Sequence, residues 1–196
     1  MSSTVSPSHF KDLLDAEPGD VCTRSLCSYD NESGKYSLHA WGRQYCIDPA
    51  NETIVTVDNK KSLHGYFDLF LIHHLLGAQA LEPTGEWISE KDMPGGATFF
   101  RGPHAVPTEL ITGVVGDDLD LFRKMCESFG GTPLGMGDAA YSFTITDRVP
   151  VAILYWVGDE DFPAEAKILY DRTITEHLEL DGVYALMVSI CNYFTS

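Results

Sequence analysis

The sequence predicts an α+β fold, in which an antiparallel sheet with a central hairpin at about 139–157 packs against two or three helices. Short strand patterns follow one another between residues 20 and 57 with only turns between them. The first long helical pattern comes later, at residues 63–80, and strand patterns then return as hairpins. Strands grouped in this way indicate antiparallel pairing, because parallel strands need a long crossover between them. We expect a single domain over residues 1–196, with a strand-rich part at about 20–57.

The hairpin at 139–157 is the clearest element. Tyr141, Phe143 and Ile145 alternate with polar residues, which is the period-two pattern of a half-buried strand. A polar turn at Asp147 follows. The next stretch, 149–157, is almost wholly apolar and rich in β-branched and aromatic residues. This composition predicts a central strand that is covered on both faces.

Four short strands are predicted before the first long helix, and a short helix precedes them. The helix occupies residues 9–15, is capped by Ser8, and is expected to stop at Pro18 and Gly19. The strands are predicted at residues 21–28, 35–41, 43–47 and 53–57. Turn-forming residues separate them, which is typical of an antiparallel meander.

Helices dominate the predicted elements between 63 and 129 and at the C-terminus. They are expected at 63–80 (capped by Ser62), 104–111, 117–129 and 183–194 (capped by Asp181), with a loop and a short aromatic strand at 86–100. Apolar residues lie on nearly all sides of the first helix, so we expect it to be buried. His73 and His74 on that helix point apart, so they cannot bind one metal together, and we expect hydrogen bonds inside the fold.

Composition excludes several classes of partner. The net charge of −16 argues against nucleic acid and anionic membranes, which both need a positive patch, and favours cations or basic protein surfaces. The five cysteines show no C-x-x-C spacing, so we expect reduced thiols and no iron–sulfur cluster. Neither a secretory signal nor a membrane-length apolar run is evident, and we therefore expect a cytoplasmic protein.

The strongest candidate site follows the central strand. Asp159, Glu160 and Asp161 come at its end, Asp171 ends a short strand at 167–170, and His177 follows soon after. Such a group can hold a metal ion, with His177, Asp159 and Asp171 as ligands, or can provide an acid/base pair of His177 and Asp171. A solvated turn, with Asp171 as a helix N-cap, is the alternative.

Two further features are weaker. Trp87, together with Arg101 in an aromatic and glycine-rich loop, predicts either a site for an anionic ligand or simply a packed loop. Residues 135–140 match the dinucleotide pattern G-x-G-x-x-A. A helix precedes these glycines and a strand follows them, which is the reverse of the context that the pattern requires, so we do not expect a dinucleotide site.

Several segments together resemble a known family. The segments are EWISEKDMPGG, GDDLDLFRK, GGTPLGMGDAAYSF, RVPVAILYWVGDEDFPAEAKILYD and TEHL. In order and spacing they resemble the prokaryotic domain of unknown function 3786, over about residues 63–196. The resemblance implies an uncharacterised protein of an anaerobic bacterium or archaeon. It also implies that the following residues are positions of the family motif: Trp156, Asp159, Glu160, Phe162, Pro163, Asp171 and His177. Some relatives carry an iron–sulfur segment beside corrinoid-dependent enzymes, but the cysteines here lack that spacing.

Three hypotheses of function follow. The first is a non-catalytic accessory protein of anaerobic metabolism that binds a metal ion, a corrinoid or other tetrapyrrole-like cofactor, or a partner enzyme, with His177 as the leading ligand. The second is a small hydrolase or lyase in which His177 is the general base and Asp171 orients it. The third is a structural homodimer or complex subunit with the helix at 183–194 in its interface. The first two require the carboxylates and His177 to meet in one hollow.

Overall fold

The structure is a computed structural model that describes residues 4–57 and 64–195. Its first part contains α1 (Pro7–Asp15), α2 (Pro18–Ser25), β1 (Ser28–Asp30), β2 (Lys35–Ala40), β3 (Arg43–Asp48) and β4 (Thr53–Thr56). These strands form sheet A, an antiparallel sheet of order β1-β2-β3-β4. Strands that are consecutive in sequence are also neighbours in space, which confirms the predicted meander.

The second part is built around sheet B. Its elements are α3 (Gly65–Gly77), β5 (Trp87–Ile88), α4 (Gly96–Phe99), α5 (Glu109–Val115), α6 (Leu119–Ser128), β6 (Thr132–Leu134), β7 (Ala139–Thr146), β8 (Val149–Trp156), β9 (Glu165–Asp171), α7 (Ile174–His177) and α8 (Leu180–Tyr193). Sheet B is antiparallel with the order β5-β9-β8-β7-β6, so β8 is its central strand. The predicted α+β class and the central β7–β8 hairpin are both confirmed.

The alternation in the hairpin decides which face of sheet B is the core. Tyr141, Phe143 and Ile145 of β7 point to one face, and all three are buried. That face belongs to a hydrophobic cluster shared with α3, α5, α6 and α8. The opposite face carries a smaller cluster around Ala152 and Leu154. The central strand β8 is therefore covered on both faces, by helices on one side and by large side chains of the second cluster on the other.

The long helices α3 and α8 pack against each other inside the core. The predicted cap of α3, Ser62, lies outside the described residues, and the helix begins instead behind His64, whose Nδ1 accepts the backbone N–H of Tyr66. α8 begins at Leu180, so Asp181 lies inside its first turn and does not cap it. Most apolar residues of α8 are buried within the chain, whereas Leu180, Tyr184 and Tyr193 are half-buried.

The predicted strand at 21–28 is wrong, because α2 occupies most of it. Pro18 stands in the first turn of α2, and the side chain of Glu17 accepts the backbone N–H of Asp20 over 2.6 Å. Proline at the first helical position costs no backbone hydrogen bond, so Pro18 begins this helix and does not end the previous one. Leu26, with φ 59°, then ends it in a left-handed conformation.

Smaller corrections concern the remaining elements. α1 begins at Pro7 behind Ser6, two residues earlier than predicted. The predicted aromatic strand near Phe100 is the short helix α4, and the helix expected at 104–111 is found at Glu109–Val115. Over residues 4–57 and 64–195, none of the helices has the length and apolar character needed to span a lipid bilayer.

Candidate functional site

The register of sheet B separates the two halves of the predicted site. Trp156 of β8 pairs with Glu165 of β9, whereas Val151 pairs with Tyr170 five residues earlier on β8. At about 3.3 Å per residue these two pairs are about 17 Å apart along the sheet. The turn at 159–161 therefore lies at one end of sheet B and Asp171 at the other. The expectation that the carboxylates and His177 meet in one hollow is wrong.

Asp171 is a structural carboxylate at the end of β9. It is 1% exposed. Its oxygens accept hydrogen bonds from the backbone N–H groups of Thr84, Gly85 and Thr173 at 2.6 to 3.1 Å, and from the hydroxyls of both threonines. Burial alone would raise the pKa of Asp171, but these bonds to the charged form outweigh it and lower the pKa. Asp171 thus ties the 84–85 loop to the start of α7.

His177, at the end of α7, is also enclosed. It is 1% exposed, and its Nδ1 accepts the backbone N–H of Gln79 over 3.1 Å. Burial lowers the pKa of His177, and the nearby charge of Arg148 lowers it further, while Asp171 opposes this. The imidazole and the Asp171 carboxylate are thus each held by other groups, and not in the pair that an acid/base mechanism requires.

Arg148, which the sequence did not single out, and His74 complete this buried region. Arg148, 5% exposed, lies in the β7–β8 turn and donates to the backbone oxygens of Arg24 and Leu81 and to the Glu82 carboxylate. His74 is fully buried, and burial lowers its pKa to about 4. Its Nε2 lies 3.4 Å from the backbone oxygen of Ser25. The expected hydrogen-bonded histidine inside the fold is found here.

The donor groups around His177 do not fit a metal ion or a tetrapyrrole. Within residues 4–57 and 64–195, no three His, Cys, Asp or Glu side chains are arranged to hold a metal. An axial ligand needs a ring nitrogen that faces a space large enough for the cofactor. The Nδ1 of His177 is already engaged and its Nε2 is buried in the protein.

The opposite end of sheet B contains an open groove of about 700 Å³. It lies between α5 and the turn that joins β8 to β9. Its lining residues are Glu109, Thr112, Gly113, Gly116, Asp117, Gly158, Asp159, Glu160, Phe162, Pro163 and Ala164. This lining brings Asp159 and Glu160 from the predicted cluster together with Glu109 and Asp117, which the sequence did not connect to them. We call it the acidic groove.

Carboxylates fix the shape of the turn that forms one wall of the acidic groove. Oδ1 of Asp159 accepts the backbone N–H groups of Asp161 and Phe162 at 2.9 and 2.8 Å. Oδ1 of Asp117 accepts the N–H of Gly158 at 3.1 Å. A Cβ at residue 158 would lie 2.9 Å from the backbone nitrogen of Ala164, so only glycine allows the turn to close this tightly. The wall is therefore set before any ligand arrives.

Comparison with known proteins adds one finding. A family model described as a domain of unknown function, DUF3786, matches residues 17–193. The chain belongs to the DUF3786 family. The match begins far before residue 63, so the DUF3786 domain includes α2 and sheet A as well as the sheet B region that carried the resemblance. No curated protein and no solved structure matches this chain.

The other predicted ligand-binding residues of this DUF3786 chain do not line the acidic groove. Trp87 and Trp156 are half-buried and pack on the outer face of sheet B, against the cluster around Ala152. Arg101 is exposed and precedes a short turn at residues 102–104. Asp161 is exposed in the turn at the end of β8, beside the residues that line the groove. The structure thus joins Asp159 and Glu160 but not the tryptophans, Arg101, Asp171 or His177.

Proposed function

We propose that this chain is a non-catalytic accessory protein whose acidic groove takes a positively charged segment of a partner protein. One observation carries the proposal. Four carboxylates face a groove of about 700 Å³ whose lining, in the described part of the chain, contains no lysine or arginine. Phe162, 71% exposed, stands at its edge. Together these features are complementary to a segment with basic and apolar side chains.

The four carboxylates of the acidic groove have two different roles. Asp117 and Asp159 hold the wall by hydrogen bonds to backbone N–H groups. Glu109 and Glu160 are exposed, and within the described residues no side-chain hydrogen bond or ion pair engages them. They are therefore the groups that are available to a lysine or arginine of the partner, which can form charge-assisted hydrogen bonds with them.

Phe162 supplies the apolar part of the interaction. Fully burying a side chain of this kind contributes about 1.5–3 kcal/mol. The net charge of −16 increases the rate at which a basic partner arrives, and this steering weakens as salt is added. Affinity is therefore expected to come from Phe162 and the two free glutamates, and the encounter rate from the whole acidic surface.

The alternatives have less support. The hydrolase or lyase hypothesis needs a His177–Asp171 pair, but each residue is buried and held by other groups. The metal or tetrapyrrole hypothesis needs an available ring nitrogen on His177, but Nδ1 is engaged and Nε2 is buried. An anaerobic source stays a prediction of the resemblance. The proposal includes a cytoplasmic location, which the five unpaired thiols support because thiols stay reduced there.

The proposal is tested by fluorescence anisotropy with two labelled peptides. One peptide alternates arginine and leucine, and the other has glutamate in place of arginine. We expect the purified chain to bind the basic peptide and not the acidic one. Changing both Glu109→Gln and Glu160→Gln should weaken binding by roughly tenfold or more, as loss of two charge-assisted bonds predicts. Phe162→Ser should weaken it by a similar factor.

A charge-matched control distinguishes the groove from general attraction to an acidic protein. Glu32 is exposed in the β1–β2 turn, in sheet A. Glu32→Gln paired with Asp12→Asn removes the same charge as the double groove variant, so it should leave the affinity nearly unchanged. Equal loss in both double variants, or no binding of the basic peptide by the unmodified chain, would contradict the proposal.

A further inference from the structure

Two cysteines lie side by side at the end of α2. The Sγ atoms of Cys22 and Cys27 are 3.6 Å apart, and no disulfide joins them. The sequence predicts reduced thiols without C-x-x-C spacing and gives no sign that these two residues meet. In the structure the two thiols contact each other directly and form a dithiol pair.

The end of α2 brings the two thiols together. The backbone N–H of Leu26 donates to the carbonyl oxygen of Cys22 over 3.0 Å, and Leu26 takes the left-handed conformation with φ 59°. This cap reverses the chain directly after Ser25, so Cys27 returns over the last turn of the helix that carries Cys22. The contact therefore results from a local turn and does not depend on a distant element.

Both thiols line a cavity that is open to solvent. Its volume is about 440 Å³, and Glu17, Tyr29 and Asn31 also line it. Cys22 and Cys27 are each partly exposed, whereas Cys126 and Cys191 are buried. The pair thus combines mutual contact with access for a small molecule, which are the two requirements for exchange between thiols and disulfides.

We propose that Cys22 and Cys27 form a thiol–disulfide exchange site that takes a low-molecular-weight disulfide without net negative charge. The contact between the two sulfurs gives each cysteine a separate role in the exchange. The Cys27 thiol is in hydrogen-bond contact with the Cys22 sulfur, so a disulfide that reacts at Cys22 leaves Cys27 beside the mixed disulfide as the resolving thiol. Burial raises the pKa of Cys27 to about 12, with Cys22 adding to the effect, so Cys27 keeps its proton until the second step.

The exchange balances in two steps. The Cys22 thiolate attacks one sulfur of the small disulfide, the S–S bond of that molecule breaks, and a mixed disulfide forms while one small thiolate departs. Cys27 then attacks the Cys22 sulfur, the mixed disulfide breaks, and the Cys27 proton leaves with the second small thiol. The protein dithiol is oxidised to an internal disulfide, and the small disulfide is reduced to two thiols.

The lining of the cavity selects among small disulfides by charge. Glu17 is its one ionisable residue other than the cysteines and Tyr29, within the described part of the chain. Its carboxylate accepts the N–H of Asp20 and lines the same cavity as the thiols. A dicationic disulfide such as cystamine should therefore react faster than anionic glutathione disulfide, by roughly tenfold or more at low salt.

The test uses the reduced full chain with cystamine or glutathione disulfide, alkylation at timed intervals, and mass spectrometry of intact protein and peptides. We expect the unmodified chain to end with a Cys22–Cys27 link and no adduct. Cys27→Ser should trap a stable adduct on Cys22, and Cys22→Ser should leave Cys27 largely unreacted. Glu17→Gln keeps an acceptor for the helix cap. This variant should lower the ratio between the rates of reaction with cystamine and with glutathione disulfide.

Cys46→Ser is the matched control, because Cys46 is a half-exposed thiol on β3 that does not line the cavity of the pair, and this variant should react like the unmodified chain. Three results would overturn the proposal. They are two unreacted thiols at 22 and 27, a persistent adduct on the unmodified chain, or no adduct on Cys22 in the Cys27→Ser variant.

Discussion

The backbone N–H of Gln79 donates to Nδ1 of His177 over 3.1 Å, and this bond determines the state of the imidazole. Because the lone pair of Nδ1 is engaged, the neutral ring carries its proton on Nε2. That Nε2 is buried and has no hydrogen-bond partner within the described residues, and the same holds for Nδ1 of His74. Both rings are therefore held neutral inside the fold, near the charge of Arg148.

The neutral histidines predict a loss of stability in mild acid. Burial lowers the pKa of His74 from 6.5 to about 4, and nearby positive charges add to the shift. The unfolded chain therefore binds protons more readily as the pH falls from about 6.5 towards 4, and folding weakens over that window. For His74 alone, the free energy of unfolding should be about 2 kcal/mol lower at pH 5 than at pH 7.5.

Urea unfolding at these two pH values measures the effect. His74→Leu removes the titrating group and should make the difference between pH 7.5 and pH 5 smaller. His39 is exposed on β2, so His39→Gln should keep the full difference. A pH dependence that is the same in all three proteins would show that His74 is not the group responsible.

Asp171→Asn should destabilise the fold by about 2–4 kcal/mol, because an amide cannot accept the full set of hydrogen bonds that the buried carboxylate accepts. The lowered pKa of Asp171 also determines how its contribution to stability depends on pH. Since the pKa of Asp171 is lowered, its contribution is present above its ordinary pKa of 3.8 and is lost as the pH falls below that value. Asp161→Asn, in the exposed turn, should change stability by less than about 0.5 kcal/mol. Similar losses in the two variants would contradict a structural role for Asp171.

Two glycines in helices should respond in opposite directions to alanine. A Cβ at Gly77, the last residue of α3, would lie 2.8 Å from the backbone oxygen of His177, so Gly77→Ala should destabilise the chain by about 1–3 kcal/mol. At Gly113 in α5 nothing lies within 4 Å, so Gly113→Ala should stabilise it by about 0.5–1 kcal/mol. Thermal unfolding of both variants checks this, and a shift of the same sign in both would be inconsistent with close packing of α3 on α7.

The sequence was sufficient to predict an element and its buried side where a periodic pattern coincided with one buried face. Tyr141, Phe143 and Ile145 alternate in the sequence and are all buried in β7. The error at α2 has a local cause. Val21 and Thr23 favour strands, and Pro18 can follow one helix or begin the next, so only the cap from Glu17 decides between the two.

The candidate site was harder to predict because residues close in sequence can be far apart across a strand. Asp161 and Asp171 are separated mainly by β9, which carries the chain from one end of sheet B to the other. Conversely, Glu109 and Asp117 join Asp159 in the acidic groove from segments about 40 to 50 residues away. Strand register and helix packing decide both relations, and neither is visible as a local pattern.

The most direct test of the acidic groove is nuclear magnetic resonance of ¹⁵N-labelled protein titrated with the basic peptide. We predict saturable shifts of the amides of Gly113, Gly116, Gly158 and Phe162, and no comparable shifts in sheet A or around His177. In the chain carrying Glu109→Gln and Glu160→Gln, the same shifts should need a much higher peptide concentration. Shifts spread over the acidic surface, or concentrated away from α5 and the β8–β9 turn, would contradict the account.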